Sequence, residues 1–165
     1  MILFKFIRNI KRFFYSNLLK KIAKKSGKIY VNRYSRINRN TVLGDNVNFN
    51  GLIVYGDGEL TIGNNFHSGR NISIFTRIHN YKGNKLPYDE LYIRKKVIIE
   101  DNVWIGSNVI IIGNVKIGEG SIVQAGSVVV KDLPKLSIAG GNPAVPFKKR
   151  DANHYNDLKT KKLFH

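Results

Sequence analysis

The sequence predicts an all-β solenoid, and three observations support this fold class. Apolar residues recur every six positions, turn-forming glycines and asparagines recur between them, and the rhythm is regular enough for its interruptions to stand out. Self-similarity at a short fixed period is the signature of a solenoid, in which each repeat buries its apolar side chains only by stacking on its neighbours.

Residues 1–28 follow a helical pattern instead, with apolar residues spaced by three and four positions and basic residues among them. The apolar residues are Leu3, Phe6, Ile7, Ile10, Phe13, Phe14, Leu18 and Ile22. The uncharged run from Phe13 to Leu19 is too short to span a bilayer, and charges interrupt the apolar region that a signal peptide needs. Two interpretations stay open for this helix. It packs on the protein or a neighbouring subunit, or it lies in an anionic membrane surface.

The six-residue rhythm begins at residue 31 and predicts a β-domain over 29–150. The leading residues of the repeats are Val31, Ile37, Leu43, Phe49, Ile62, Ser68, Ile74, Ile99, Ile105, Ile111, Ile117, Val123 and Val129. A unit of six residues makes one short strand and a corner, so three units close a triangular coil with the leading residues inside. We expect Asn102, Gly106 and Gly118 to supply the corners, because these residue types tolerate left-handed backbone angles.

Two stretches depart from the rhythm. Tyr81–Lys96 does not fit the repeat and is predicted to loop out near 80–96, where binding and chemistry concentrate on a rigid scaffold. The proline- and glycine-containing stretch 131–150 ends the repeats, and the tail 151–165 has the length of a short helix.

The net charge of +17 lies at the two ends of the chain. Residues 1–40 contain twelve basic residues and no acid, residues 41–130 are neutral, and residues 131–165 carry +5. Because the middle lacks a basic stripe, no nucleic-acid partner is expected, whereas anionic lipid or an anionic ligand would explain the charged ends. The chain has no cysteine, which excludes disulfides and a cysteine nucleophile and suits a reducing cytosol. We expect a cytoplasmic protein, peripheral on the inner face of the membrane if the helix binds lipid.

The segment 97–144, with the motifs "VWIGSNV", "QAGSVVVKD" and "GGNPA", resembles the hexapeptide-repeat acetyltransferases. The similarity is greatest to the branch of galactoside, maltose, xenobiotic and polysaccharide O-acetyltransferases, and it covers about residues 31–150. The resemblance implies a left-handed parallel β-helix, a homotrimer with active sites between subunits, acetyl-CoA as co-substrate, and no metal.

The resemblance also implies a catalytic histidine just before the extruded loop, which is His79 in "ISIFTRIHNY". An imidazole suits the removal of a proton from a sugar hydroxyl at neutral pH. His67 lies inside a repeat, and His154 and His165 lie in the tail, so only His79 adjoins the interruption. Without a cysteine, direct transfer in a ternary complex is favoured over an acyl-enzyme, with an oxyanion donor that the sequence does not identify.

The resemblance places the coenzyme A groove at six residues of this chain: Trp104, Ser107, Ala125, Lys131, Lys148 and Lys149. Val130 stands where relatives often have threonine, so one hydroxyl contact of the family is missing. The basic residues after "GGNPA" are suited to the phosphates of the coenzyme, although a solvated tail would have the same composition. Trp104 either lines the groove or fills a corner.

The acceptor side is predicted less specifically. In sugar-acetylating relatives an asparagine contacts the acceptor, and Asn48 and Asn50 are the matching candidates here. Tyr81 and Tyr88 in the loop are further candidates for sugar contacts, whereas Asp89 and Glu90 are expected to be solvated.

These observations favour acetyl transfer to a sugar hydroxyl of a glycan or glycan precursor. N-acetylation of an amino-sugar nucleotide and acetylation of an antibiotic use the same fold and cofactor and stay open. A γ-type carbonic anhydrase is disfavoured, because only His67 and His79 lie in the repeats and that site needs three histidines. A scaffold or nucleic-acid binder is supported by charge alone.

Overall fold

In the computed structural model the backbone is described for residues 2–165 and the side chains from residue 7 onward. In chain order the elements are α1 Ile2–Ile22, β1 Lys25–Ser26, β2 Ile29–Arg33, β3 Thr41–Leu43, β4 Val47–Asn50, β5 Leu52–Tyr55, β6 Glu59–Ile62, β7 His67–Ser68, β8 Ile72–Phe75 and β9 Arg77–His79. They continue with β10 Tyr92–Arg94, β11 Lys96–Ile99, β12 Trp104–Ile105, β13 Ile110–Ile112, β14 Val115–Ile117, β15 Ile122–Val123, β16 Val128–Val129, β17 Ser137–Gly141, β18 Ala144–Lys149 and α2 Ala152–Thr160.

The strands form three parallel sheets, which we name faces A, B and C. Face A has the order β1-β3-β6-β11-β14, face B the order β2-β4-β7-β12-β15-β17, and face C the order β5-β8-β13-β16. Strand β18 extends face B as an antiparallel partner of β17. Along the chain, strands of faces A, B and C follow one another in that order, and one such set of three strands forms a coil of the solenoid. The turns between the strands of successive coils lie above one another and form three corners, which we name A–B, B–C and C–A. The predicted parallel β-solenoid is therefore confirmed.

Leading residues of successive coils stack inside the solenoid. All thirteen of them are buried, including Ser68, and Ile99, Ile105 and Ile111 are wholly shielded from solvent. Parallel pairing places Ile62, Ile99 and Ile117 directly above one another on face A. In the N-terminal coils Phe49 and Phe66 fill the interior, with ring centroids 5.9 Å apart in edge-to-face geometry. Burial of such side chains is the main source of stability, at roughly 1.5–3 kcal/mol for each large aliphatic residue.

Asparagines occupy the A–B corner in the left-handed backbone conformation. Asn46, Asn65 and Asn102 have φ of 55°, 53° and 59°. Their side-chain amides form a ladder along the stack, with Asn46 donating to Asn65 at 3.1 Å and Asn65 donating to Asn102 at 2.9 Å. The prediction for Asn102 is confirmed. Asparagine suits this position because it tolerates positive φ and links one coil to the next.

The corresponding prediction for Gly106 and Gly118 is wrong, because neither has a positive φ. A Cβ atom at Gly106 would lie 2.5 Å from the backbone nitrogen of Ala125, and one at Gly118 would lie 2.5 Å from that of Lys135. These glycines are required by the close approach of the next coil rather than by backbone angle.

Helix α1 covers the open N-terminal end of the solenoid. Leu19 is fully buried in the core, and the Ser16 hydroxyl accepts a hydrogen bond from the backbone N–H of Val31 at 3.0 Å. The side chains of Leu3, Lys5 and Phe6 lie outside the described residues. On the opposite side of the helix an apolar stripe is exposed: Ile7, Ile10, Phe13, Phe14 and Leu18. Within residues 2–165, no helix is both long enough and apolar enough to cross a bilayer.

Helix α2 docks at the top of the asparagine ladder. Asp151 caps its N-terminus by accepting from the His154 N–H at 2.9 Å. Tyr155 is buried, and its hydroxyl donates to Glu119 at 2.8 Å and accepts from Asn102 at 2.7 Å. Burial, followed by the hydrogen bond to Glu119, raises the pKa of Tyr155 to about 12, so the phenol stays protonated and can donate. The helix therefore continues the ladder by side-chain hydrogen bonds.

The outward sides of faces A and C differ in chemistry. Face A carries ion pairs between neighbouring strands, Lys96 with Glu59 at 2.9 Å and Lys116 with Glu100 at 2.7 Å. The outward residues of face C are almost all apolar: Ile53, Tyr55, Ser73, Phe75, Ile110, Ile112 and Val128. Face A is a solvated surface, whereas face C is an apolar sheet face on which no other sheet or helix of the described part of the chain packs.

Because leading residues stack in the core, truncation of Ile99 should destabilise the protein far more than truncation of its neighbour Ile98. Ile99 is fully buried, whereas Ile98 is half-buried on face A. We expect Ile99→Ala to lower the free energy of unfolding by about 2–5 kcal/mol and Ile98→Ala by less than about 1 kcal/mol. Urea unfolding followed by circular dichroism measures both. Equal losses would contradict the inward-stacked core.

Candidate functional site

His79 is the last residue of β9, at the loop end of a hairpin ladder that leaves the solenoid at the C–A corner. Strands β9 and β10 pair antiparallel with each other only, with His79 opposite Tyr92 and Arg77 opposite Arg94. Residues 80–91 form the loop between them. The predicted extrusion near 80–96 is therefore present; the hairpin begins earlier, with β9, and the last residues of the predicted stretch form β10 and the start of β11.

The His79 imidazole is held between two tyrosine rings. The Tyr88 ring stacks on it with centroids 3.9 Å apart and an angle of 20°, and the Tyr92 ring lies at 4.9 Å and 39°. The histidine is nevertheless exposed to solvent. Flat packing of this kind fixes the plane of the imidazole and leaves its edge, where both nitrogens lie, accessible to a ligand.

Asp57 anchors the hairpin to the preceding coil. Its carboxylate lies 2.8 Å from an Arg94 guanidinium nitrogen and 3.7 Å from one of Arg77. The hydrogen bond from Arg94 is the main cause that lowers the pKa of Asp57, so this anchor is charged at neutral pH. The Arg77 guanidinium also lies over the Tyr92 ring, 4.0 Å from its centroid. The orientation of His79 thus depends on a charged cluster that the sequence analysis did not identify.

A cleft of about 620 Å³ opens between His79 and face C. Its walls include the His79 and Tyr92 rings, the stacked rings of Tyr55 and Phe75, and the Arg36 side chain. The cleft has an exposed imidazole on one side and an apolar sheet on the other. That combination fits the site expected between two subunits, in which the second subunit covers the sheet.

Three of the predicted coenzyme residues lie together at the other edge of face C. Ser107 and Ala125 occupy the B–C corner in successive coils, and Trp104 lies on face B just before it. The Ser107 hydroxyl accepts from the backbone N–H of Arg70 at 3.0 Å, and its carbonyl accepts from the N–H of Gly126 at 2.9 Å. Trp104 is 56% exposed, so it does not fill a corner. It is available to line a groove.

Strand register places Asn48, Trp104 and Lys148 in one row across face B. Through consecutive strand pairs the row runs Asn48, His67, Trp104, Ile122, Ile138, Lys148. Lys149 is the next residue and is also exposed. A predicted acceptor residue therefore lies at one end of this row and the predicted phosphate-binding lysines at the other.

The structure does not bring His79 or Lys131 to that row within one chain. Both lie at the C–A corner, with Lys131 two coils beyond His79. The two corners are separated by the width of face C, about 15–20 Å for five or six extended residues. Within a single chain, a ligand that touches both the C–A corner residues and the face B row would have to cross face C. A neighbouring subunit could instead place its own C–A corner beside the face B row.

The amide of Asn50 is already used within the protein. It accepts from Asn32 at 3.1 Å and donates to the carbonyl of Ser68 at 2.7 Å. The Asn48 amide nitrogen lies 3.3 Å from His67 Nε2, which leaves its oxygen for other contacts. Tyr81 is exposed in the hairpin loop, 62% accessible. Of the three predicted acceptor residues, Asn48 and Asn50 lie on face B and Tyr81 lies beside His79.

The expectation that Asp89 is solvated is wrong. Asp89 is only 8% exposed, and its carboxylate accepts from the Asn80 amide and from the backbone N–H of Leu91, both at 2.9 Å. It closes the loop immediately after His79. Glu90 is exposed and pairs with Lys85 at the surface.

The C-terminal segment adds a wall to the row on face B. Arg150, Tyr155, Leu158 and Phe164 line a groove of about 530 Å³ together with Trp104 and His67. His67 is half-buried there, and burial lowers the pKa of its imidazole. Within residues 2–165, no group of three histidine, aspartate or glutamate side chains is arranged to hold a metal ion.

Comparison with known proteins agrees with the repeat architecture. A family model described as bacterial transferase hexapeptide (six repeats) matches residues 96–131. The chain is 35% identical over 113 residues to the galactoside O-acetyltransferase of Lactococcus lactis, covering 68% of this chain and 52% of that protein. The chain spans about half the length of the curated relatives it matches.

Solved structures share the fold. A maltose O-acetyltransferase from Clostridium difficile has a TM-score of 0.73 and 30% identity, covering 82% of this chain and 74% of that one. A hexapeptide-repeat acetyltransferase from Vibrio cholerae, complexed with acetyl coenzyme A, has a TM-score of 0.67 and 27% identity, covering 82% and 76%.

Proposed function

Since this chain belongs to the hexapeptide-repeat acetyltransferase family, we propose that it is an acetyl-CoA-dependent O-acetyltransferase acting on a sugar hydroxyl. The observation that carries the proposal is the exposed His79 imidazole, oriented by Tyr88 and Tyr92 at the edge of an apolar face. The names of the similar proteins, which act on galactosides and maltose, support a sugar acceptor.

In the proposed mechanism His79 is the general base. Its imidazole removes the proton of the acceptor hydroxyl as the oxygen attacks the thioester carbonyl of acetyl-CoA. The tetrahedral intermediate then collapses, the C–S bond breaks, and the histidine returns the proton to the departing coenzyme A thiolate. Transfer is direct, because the chain has no cysteine to carry the acetyl group.

The proposed coenzyme groove runs along the B–C corner. Ser107 and Ala125 would contact the pantetheine arm, and Trp104 would form its wall. Lys148 and Lys149, six strands from β2 at the far edge of face B, would pair with the phosphates. Lys131 lies on the other corner and would reach the coenzyme only from a neighbouring subunit.

The proposed assembly is a homotrimer in which face C is the subunit interface. Its outward Phe75, Ile110 and Ile112 side chains would be covered, whereas the ion-paired face A would stay in solvent. In a closed ring each subunit presents different surfaces to its two neighbours. His79, beside face C of one copy, would then approach the B–C corner of the next.

The basic amphipathic helix α1 supports an anionic membrane surface as a further partner. Phe13 is 73% and Phe14 is 62% exposed, and residues 1–40 contain twelve basic residues and no acid. Two copies of such a helix would repel each other, so lipid fits the stripe better than self-association. A lipid-linked glycan precursor would place the acceptor at that surface.

His79→Ala should abolish acetyl transfer while leaving coenzyme A binding within about twofold of wild type. Thiol release with maltose, galactosides and amino sugars measures transfer and separates O- from N-acetylation. Fluorescence of Trp104, the sole tryptophan of the chain, reports binding. The exposed His154→Ala variant is the matched control and should retain activity. Wild-type turnover in His79→Ala would refute the mechanism.

Ile112→Glu should dissociate the assembly, because it places a charge in the proposed apolar interface. The control is Ile98→Glu on face A, which is also half-buried and apolar in a strand. Sedimentation equilibrium should give three times 18.8 kDa for wild type and the control and a single chain mass for Ile112→Glu. Loss of transfer should accompany dissociation. A trimeric and active Ile112→Glu would exclude face C as the interface.

Phe13→Gln with Phe14→Gln should weaken binding to phosphatidylglycerol-containing vesicles by at least about tenfold, because two exposed aromatic rings no longer enter the lipid. Vesicle co-sedimentation measures the change. The control pair, Leu86→Gln with Phe147→Gln, removes exposed apolar area elsewhere and should bind like wild type. Identical binding of both pairs would argue against α1 as the membrane contact.

A further inference from the structure

A strongly cationic pocket lies where α1 meets the first strands of face B. We call it the N-terminal basic pocket; its volume is about 670 Å³. Five cationic side chains line it, and no carboxylate does: Arg8, Lys11, Arg12, Arg33 and Arg70. Tyr15, Asn32, Tyr34 and Asn50 complete the lining.

These five cations are not neutralised by the protein. None of them takes part in an ion pair among the described side chains, whereas Lys96, Lys116 and Lys159 each pair with a glutamate. Like charges gathered on a concave surface repel one another and create a positive potential that an anion relieves. Cationic side chains that only contact solvent would not have to be brought together from three separate segments of the chain.

Arg12 gives a second indication that the charge of this pocket is not neutralised within the protein. Its guanidinium lies over the Tyr30 ring, 4.2 Å from the centroid, and its buried Nε has no hydrogen-bond partner among the described residues. Since most buried donors are paired, Arg12 is poorly satisfied by the protein alone, and its side chain also lines the pocket. Guanidinium groups match the geometry of phosphate oxygens.

The pocket adjoins the proposed acceptor side of the active site. Arg33 lies opposite Asn50 in the β2–β4 register. Arg70 lies at the B–C corner immediately below Ser107, in the same coil as His79. Rotation about a threefold axis parallel to the solenoid preserves height, so the His79 of a neighbouring subunit would lie level with Arg70.

The pocket is distinct from the proposed site for the coenzyme phosphates. Strands β2 and β17 lie at opposite ends of the parallel part of face B, five strand spacings apart. That separation is about 24 Å. Lys148 and Lys149 lie beyond β17. One small anion therefore cannot occupy both sites.

We propose that the N-terminal basic pocket binds the phosphoryl group of a phosphorylated acceptor, a sugar carried as a phosphate or diphosphate ester. This inference rests on the proposed function and adds the chemical class of its acceptor. Two sources share the chemistry: a soluble nucleotide-diphosphate sugar and a polyprenyl-diphosphate sugar in a membrane. The adjacent apolar stripe of α1 fits the second source, and the pocket itself recognises the feature common to both.

The direct test is binding of inorganic pyrophosphate, measured by isothermal titration calorimetry on the full chain saturated with coenzyme A. Saturation fills the coenzyme's own phosphate site. We expect Arg33→Gln with Arg70→Gln to weaken pyrophosphate binding by at least about tenfold, because each removed contact is charge-assisted. The control, Arg39→Gln with Lys135→Gln, removes the same charge at exposed positions outside the pocket and should change affinity by less than twofold. Undetectable binding, or equal losses in the two pairs, would overturn the proposal.

Two kinetic arms identify the source and separate this inference from the proposed function. With a nucleotide-diphosphate sugar in solution, or a polyprenyl-diphosphate sugar in phosphatidylcholine vesicles, the pocket variant should raise KM about tenfold and leave kcat unchanged. The acceptor for which KM rises while kcat stays unchanged is the one whose phosphoryl group the pocket binds. Transfer to both acceptors without any change in the pocket variant would overturn the pocket's role while leaving the enzyme assignment intact. Pyrophosphate binding does not require transfer, so His79→Ala should bind it normally.

Discussion

Stacking of inward aliphatic side chains between coils is the interaction on which every other feature of this protein depends. A single coil of about eighteen residues has no interior of its own, so each leading residue is buried only because identical positions lie above and below it. The need to bury these leading residues fixes the strand register, since a shift by one residue would turn them outward. With the register fixed, every outward side chain has a defined height and a defined face. The candidate functional side chains of the protein occupy these outward positions.

The three faces and their corners carry different tasks. Face A is covered by ion pairs between neighbouring strands, which suits contact with water. Face C carries aromatic and aliphatic side chains, and face B carries a mixed row from Asn48 to Lys148. His79 lies at one edge of face C, whereas the coenzyme candidates Ser107 and Ala125 lie at the other. In the proposed trimer, a site divided in this way would make activity conditional on assembly, because one chain alone would not present both sets of residues to one ligand.

Much of the fold could be predicted from sequence because the core repeats with a period that survives in the residue types. Ile99, Ile105 and Ile111 are buried where the rhythm places them. The requirement for glycine at positions 106 and 118 could not be predicted in the same way, since the close approach of the next coil does not show in a local sequence pattern. The burial of Asp89 was not predictable, because the donors to its carboxylate, the Asn80 amide and the Leu91 N–H, come together only when the hairpin closes.

The surroundings of the site were less predictable than its position. The interruption of the repeat points to His79, but the clamp of Asp57 with Arg77 and Arg94 joins residues from two coils. The nearest signal in the sequence is the matching pair of short runs Arg77-Ile78-His79 and Tyr92-Ile93-Arg94, which flank the loop as the strands of a hairpin. The basic pocket likewise joins α1, β2 and the B–C corner, and only the docking of α1 through Ser16 and Leu19 brings these segments together.

The antiparallel strand β18 affects whether copies of the protein can associate end to end. A stack of parallel strands offers its last strand as a template, and identical molecules could join end to end into fibrils. Here the outermost strand reverses direction, includes Pro146, which has no N–H to donate, and ends in Lys148 and Lys149. Proline and like charges on an outer strand discourage further strand addition. At the other end, α1 covers the first coil. An architecture that could polymerise indefinitely is thereby kept finite.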